Sequence, residues 1–267
     1  MELRIGTSGY SYEDWRTVFY PDDLPKGKML EYYSGFFDCV EINSTYYKIP
    51  HKTVFTHMVG MTPDQFQFVV KTNRNTTHNP TRDMKTNRES VQKLVESTAP
   101  LIEANKLSGF LAQFPYSFKN TPKNREYLVE TKEYFGEYPL FIEFRNWTWN
   151  IPEVFDFLRK IKINYVNVDE PPIKGLIAPS NETTGPFGYV RFHGRNSTNW
   201  WKGTNITRYK YLYSESELDE WLIRIARLLK MTYKTYIFFN NHPQGQAVKN
   251  AKMLKEIMAH QIDILKK

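Results

Sequence analysis

Glu41, Glu143 and His193 are the residues best suited to proton transfer in this 267-residue chain. Each stands at or near the end of a short apolar run, within Cys39–Ser44, Leu140–Phe144 and Tyr189–His193. Two opposed carboxylates can act as acid and as base or nucleophile on a sugar. An imidazole beside them adds a group that exchanges protons near neutral pH. Binding groups collect at the same kind of position. Asn43, Lys71, Gln113, Arg145 and Asp169 end or follow such runs, as do Arg191, Arg195, Asn240 and Asn241. Tyr46 and Trp147 follow close behind two of them. Guanidinium forks match phosphate and carboxylate. Lys71 could instead serve as a Schiff-base amine once desolvation strips its charge, although simple anion binding asks less of it.

Charges this close to apolar sequence must be paired, because an unpaired buried ion costs several kcal/mol. The signs allow pairing. Glu41, Glu143 and Asp169 are negative, and Lys71, Arg145, Arg191 and Arg195 are positive. Two arrangements meet the demand: an internal plug of salt bridges, or a polar pocket with a slight positive excess.

Other chemistries fit less well. There is one cysteine, and the six histidines form no His-Glu-x-x-His; His51 and His57, six apart, do not share a helix face. Mg²⁺ or Mn²⁺ on Glu41, Glu143 and Asp169 would suit oxygen donors, but the adjacent arginines argue against it. No metal and no cofactor are expected. A Gly-x-Ser-x-Gly elbow is absent, and Gly6-Thr7-Ser8-Gly9 is not a Walker loop.

These side chains need elements to place them. Eight apolar runs read as strands: Leu3–Gly6, Cys39–Ser44, Phe66–Lys71, Leu107–Phe114, Leu140–Phe144, Tyr165–Asp169, Tyr189–His193 and Thr235–Asn240. Their nearly continuous apolar interiors suit parallel strands covered on both faces. Helical stripes predict helices over Leu24–Phe37, His51–Gly60, Thr86–Asn105, Pro122–Phe135, Ile151–Ile161, Ser214–Lys230 and Gly245–Leu265. After strand six, Glu170–Gly188 holds four prolines and no helical period. Eight alternating units predict an α/β fold, a single (β/α)8 TIM-like barrel over residues 1–267, with the helix missing or irregular after strand six. An open doubly wound sheet is the competing architecture. In a barrel, chemistry sits at the C-terminal ends of the strands, where the polar residues above fall.

Composition bounds the function. A formal charge of +7 permits steering of anionic ligands. No run approaches the roughly 18 apolar residues of a membrane helix, and the first residues read as a strand, so a cytoplasmic protein without a membrane partner is expected. Cys39 reads as a buried structural thiol. Aromatic residues make up 16% of the chain. Trp15, Trp147, Trp149, Trp200 and Trp201 fall just after strands one, five and seven, which points to a rim of rings around the mouth. Two loops mix basic, amide or aromatic groups: Thr72–Lys85 with Arg74 and Arg82, and Arg195–Ser214 with Trp200, Trp201, Asn205 and Arg208. Such composition serves either a nucleic-acid surface or an active-site lid.

The ordered strand-end motifs resemble the YecE-like family, a domain of unknown function. They are Gly6-Thr7-Ser8-Gly9-Tyr10 with Trp15, Val40-Glu41-Ile42-Asn43-Ser44-Thr45-Tyr46-Tyr47, Lys71, Gln113-Phe114-Pro115, Glu143-Phe144-Arg145, Asp169, Arg191-Phe192-His193-Gly194-Arg195 and Asn240-Asn241. Tyr10 stands where the family usually has Trp, and Tyr46 where it has Phe; both keep a ring. The resemblance spans essentially the whole chain and implies a TIM-like barrel with no proven reaction. Likeness of that barrel to endonuclease and xylose-isomerase-like barrels implies phosphate or nucleic-acid ligands by analogy of fold.

The expected function is therefore an enzyme acting on an anionic substrate, phosphorylated or containing a nucleotide or sugar. Lys71, Arg145, Arg191 and Arg195 would hold the anion. Glu41, Glu143 and His193 would handle protons, and Asn43, Gln113, Asp169 and Asn240 would orient. A nucleic-acid binding or processing protein, and a non-catalytic interaction barrel, are the alternatives.

Overall fold

The computed structural model describes residues 2–79 and 83–265. Arg82 and the Asn205 side chain lie outside the described residues. The strands are β1 (Glu2–Ser8), β2 (Cys39–Ile42), β3 (Gln67–Lys71), β4 (Leu107–Gln113), β5 (Leu140–Glu143), β6 (Asn164–Tyr165), β7 (Asn167–Asp169), β8 (Phe187–Phe192) and β9 (Lys234–Phe239). All pair in parallel, in the order β6-β5-β4-β3-β2-β1-β9-β8-β7. The two ends of that order are the halves of the sixth predicted strand, parted at Val166. β6 pairs with β5 and β7 with β8, so the sheet curls into a nearly closed barrel. The Val166 amide still donates to the Ile142 carbonyl at 3.0 Å. This is the predicted TIM-like α/β fold.

Helices cover the outside: α1 (Met29–Ser34), α2 (Lys52–Gly60), α3 (Arg74–Thr77), α4 (Met84–Ser97), α5 (Ala99–Glu103), α6 (Pro122–Phe135), α7 (Pro152–Lys160), α8 (Asn205–Arg208), α9 (Glu215–Met231) and α10 (Gln246–Leu265). The predicted helix Thr86–Asn105 is two, α4 and α5. Pro100 has no N–H to continue the ladder, and the chain turns at Thr98. The predicted Leu24–Phe37 shortens to a single 3-10 turn and α1, after Pro25 and Gly27. α9 starts as its sequence indicates: Ser214 and Glu217 form a reciprocal capping box. No helix forms between β7 and β8. Asn167 instead organises that segment, donating to the Glu182 carbonyl at 2.9 Å and accepting from Ser180 Oγ at 2.7 Å.

The barrel interior is aromatic. The Phe141 and Tyr189 rings lie 4.8 Å apart, Tyr189 and Phe238 5.4 Å, and all are buried. Two tryptophans expected at the rim are core instead. Trp15 is fully buried and donates to the His242 carbonyl at 2.7 Å. Trp149 stacks on Phe144 at 4.2 Å and donates to the Phe118 carbonyl. Both follow strand ends in sequence, but 3-10 turns fold them back over the barrel shoulder. Cys39 is buried, as its neighbours suggested, and burial pushes its thiol well above the usual range. No helix among the described residues is long and apolar enough to cross a membrane.

Candidate active site

Strand ends β2, β5, β7 and β8 bring five charges into one alternating chain. Tyr189 Oη donates to Glu41 Oε2 at 2.7 Å. Arg191 Nη2 donates to Glu41 Oε1 at 2.6 Å, and its Nη1 donates to Glu143. Arg145 Nε lies 2.7 Å from Glu143 Oε1, and Arg145 Nη1 lies 2.8 Å from Glu170 Oε2. Glu170 Oε1 accepts from the Ile177 amide at 3.1 Å. The order is Glu41, Arg191, Glu143, Arg145, Glu170, and every member is buried. Three carboxylates against two guanidinium groups leave one negative charge uncompensated.

The ionisation pattern follows from that count. Burial pushes the Glu143 carboxyl up, but Arg145, Arg191 and His193 outweigh it and hold it well below the usual range. Glu170, at the end of the chain, has one guanidinium, Arg145, and the Ile177 amide; burial, with Glu143 nearby, outweighs them and raises it to about 7. His193 packs against the same groups. Its Nε2 is 3.2 Å from Glu143 Oε1, and Asn240 Nδ2 is 3.1 Å from its Nδ1. Burial, then Arg145, push the imidazole down to about 3, so it is neutral at physiological pH. In that state it is a fixed hydrogen-bonding group, with little capacity to act as an acid near pH 7.

The Glu170 shift carries a prediction. Its carboxyl titrates near 4.3 when unfolded and near 7 when folded. The native state therefore holds more protons across that window, and wild-type stability falls as pH rises through it. Glutamine keeps the shape and one of the two acceptors, and does not titrate. Urea unfolding should show the stability difference moving by about 1–3 kcal/mol in favour of Glu170→Gln between pH 5 and pH 7.5.

Above this chain the barrel mouth opens into a cavity of about 880 Å³. Four cations line it: Lys71, Arg74, Arg145 and Arg208. Among the described residues no Asp or Glu does. Lys71 Nζ donates to Gln113 Oε1 at 3.0 Å and sits 5.0 Å from the centre of the Tyr46 ring. Burial and Arg191 push its ammonium down to about 8, against the pull of Glu143 and Glu41. Trp200 covers Arg145, with the guanidinium carbon 5.3 Å from its ring. Eight of the lining residues are Tyr or Trp, so the walls are flat and apolar between the charges. Tyr12 stacks on His242 at 4.6 Å, and Tyr46 meets His78 edge-on at 5.1 Å. Burial, then Lys71 and Arg145, push His78 down to about 4.

The structure sorts the residues singled out in the sequence into three places. Asn43, Tyr46, Lys71, Gln113, Arg145 and Asn240 line the cavity. Glu41, Glu143, Arg191 and His193 lie beneath it, fully or almost fully buried. Asp169, Arg195, Asn241 and Trp147 are elsewhere. Asp169 faces the helix layer, accepting from Tyr213 Oη and Trp221 Nε1, each at 2.7 Å, and from Arg195. Arg195 leaves the mouth because Gly194, at φ +90°, reverses the chain; any Cβ there would meet Tyr211 Cβ at 2.6 Å. Asn241 donates to the Tyr211 carbonyl and to Asn250 on α10. Trp147 is 57% exposed, outside the cavity lining.

Glu170 was not singled out in the sequence, where Asp169 was preferred. Its signal was parity: it is the alternate neighbour of Asp169 on a strand that turns at Val166. Arg74 on α3 and Arg208 on α8 were named in the sequence as parts of two basic segments; His78 and Tyr209, just after those short helices, were not, since the paths of these segments are not revealed by the sequence. Among the described residues no group of three or more His, Cys, Asp or Glu side chains is arranged to hold a metal ion.

Residues 4–267 match the family model described as "Protein of unknown function DUF72". The chain belongs to the DUF72 family. It is 30% identical to the UPF0759 protein YunF of Bacillus subtilis, over 96% of this chain and 94% of that protein. A DUF72 crystal structure from Thermotoga maritima superposes with a TM-score of 0.88 at 38% identity, covering 97% of this chain and 100% of that one. Another, from Enterococcus faecalis, gives 0.86 at 28% identity, covering 96% and 95%. These DUF72 relatives share the barrel along its whole length, which sets the frame for the mouth just described.

Proposed function

We propose that this DUF72 protein is an enzyme that binds a small anionic substrate carrying a flat ring, such as a sugar or nucleoside phosphate, in the barrel mouth. The observation that carries this reading is the separation of charge by depth. The buried carboxylates are spent on arginines below, while the cavity itself offers four cations and no carboxylate among the described residues. An anion entering it meets Arg74 and Arg208 on the loops and Arg145 and Lys71 on the floor. The aromatic walls favour a ring over a bare ion, and the YecE-like motifs cluster at this same end. Glu41, Glu143 and His193 then act by holding Arg145 and Arg191 in place, not by touching substrate.

Thermal unfolding tests the reading. With a millimolar dissociation constant, 10 mM inorganic phosphate should raise the melting temperature by about 3–5 °C, and a nucleoside monophosphate should do more. The double variant Arg74→Ala, Arg208→Ala should lose most of that response. No shift with either ligand would overturn the proposal. The exposed rings of Trp201 and Tyr47 favour a second reading, a nucleic-acid strand laid across the rim. That reading requires tight binding of oligonucleotides with a steep inverse dependence on salt.

A further inference from the structure

Among the described residues, the fully buried cations are of two kinds. Arg191 and Arg145 are held between carboxylates. Lys106 spends its ammonium on the end of α2, donating to the Val59 and Thr62 carbonyls and to Thr62 Oγ1 at 2.7–3.1 Å. Lys71 belongs with neither. Partly buried, it has no carboxylate within ion-pair distance among the described residues, its side-chain hydrogen bond goes to a neutral amide, and its side chain lines the open cavity. A lysine placed only to neutralise charge would be paired. One placed to react would be left with a free lone pair and room in front of it.

We propose that Lys71 is a nucleophilic amine that forms an imine with the carbonyl group of an anionic aldehyde or ketone bound in the mouth. The idea rests on the anion-binding reading above and adds the substrate's reactive group. Arg74, Arg145 and Arg208 are the anchors for the anionic end. The groups facing Lys71 set its charge: burial, Arg191 and Arg145 oppose the ammonium, Glu143 and Glu41 support it, and the balance lies near 8. At pH 7 such an amine is neutral roughly 250-fold more often than an ordinary lysine titrating near 10.4. The Lys71 lone pair adds to the carbonyl carbon, and the carbonyl π pair moves to oxygen. The proton lost from nitrogen goes to that oxygen, giving a carbinolamine. The hydroxyl then leaves with the second nitrogen proton as water, and the C=N bond forms. No oxidant or reductant is needed. Asn43, whose Oδ1 is buried at the cavity wall without a hydrogen-bond partner among the described residues, offers an acceptor to the carbinolamine hydroxyl.

Pyridoxal phosphate is a suitable probe, since it joins an aldehyde, a ring and a phosphate. The unaltered protein is incubated at pH 7 with one equivalent, borohydride supplies hydride to reduce any imine to a secondary amine, and the sites are mapped by peptide mass spectrometry. Lys71 should be modified at least tenfold faster than any surface lysine, and 50 mM inorganic phosphate should suppress its labelling selectively. Labelling of Lys71 at the rate of surface lysines, or none at all, overturns the inference. If phosphate still stabilises the protein in that case, the anion-binding function stands and only the imine chemistry falls. If phosphate does nothing either, both fall.

Discussion

Arg191→Met should cost about 5 kcal/mol of folding stability, more than any other single change in the mouth. Arg191 is 1% exposed and donates to Glu41, Glu143 and Ser8, which come from three different strands. Removing one partner of a buried ion pair typically costs about 3–5 kcal/mol, because the other is left charged and dry. Here Glu41 loses its guanidinium and Tyr189 alone cannot satisfy it, while Glu143 keeps Arg145 but loses its second donor. Methionine fills most of the space, so the loss reports charge rather than a cavity. Acid separates the two. Protonation discharges a buried carboxyl left without its guanidinium, so the deficit should shrink between pH 7 and pH 5. A packing defect would be indifferent to pH. Urea unfolding at the two pH values is the measurement, and a deficit below about 2 kcal/mol at pH 7 would contradict the central place given to Arg191. Arg191→Lys restores the charge but not the planar fork between the two glutamates, so it should recover part of the loss.

Much of this architecture can be read from the chain, because the physics behind it is local. Parallel strands buried on both faces become unbroken apolar runs, as at Phe68–Val70 and Phe110–Ala112. The demand that Glu41, Glu143, Arg145 and Arg191 be paired follows from their place beside such runs. The two arrangements that demand allowed, plug and pocket, turn out to be stacked: the plug forms the floor and the pocket stands on it. What escapes the sequence is direction. Asp169 and Glu170 are adjacent, and alternation along the chain sends the first to Tyr213 and Trp221 and the second to Arg145. Arg195 has the parity of Arg191 and His193, but one left-handed glycine sends it to the outside. Trp15 and Trp149 have the position of rim residues, and short turns bury them. Arg74 and Arg208 share a cavity with Lys71 only because of where the segments carrying α3 and α8 fold. Each miss hangs on a backbone dihedral or a long-range approach that composition and spacing do not encode.

Lys71→Met should make the protein more stable while removing its response to phosphate. The folded state holds the Lys71 ammonium at about 8, below the value near 10.4 of an unfolded chain. At pH 7 the charged form is therefore more costly in the native state than in the unfolded one. Replacing it with an apolar side chain of similar length relieves that cost. Water in the cavity screens part of it, and the Gln113 hydrogen bond is lost, so the net gain is about 1–2 kcal/mol, or roughly 2–6 °C in melting temperature. The sign follows from linkage. The unfolded chain binds more protons than the native one between about pH 8 and 10.4, so wild-type stability rises across that window while the variant's does not. The advantage of Lys71→Met is thus full below pH 8 and fades above it. Lys71→Arg keeps the charge and should gain nothing. A residue retained at a cost to stability, whose removal abolishes ligand binding, marks function rather than architecture. If Lys71→Met is instead destabilised and still responds to phosphate, Lys71 is a structural cation and the floor of the mouth is not where the anion binds.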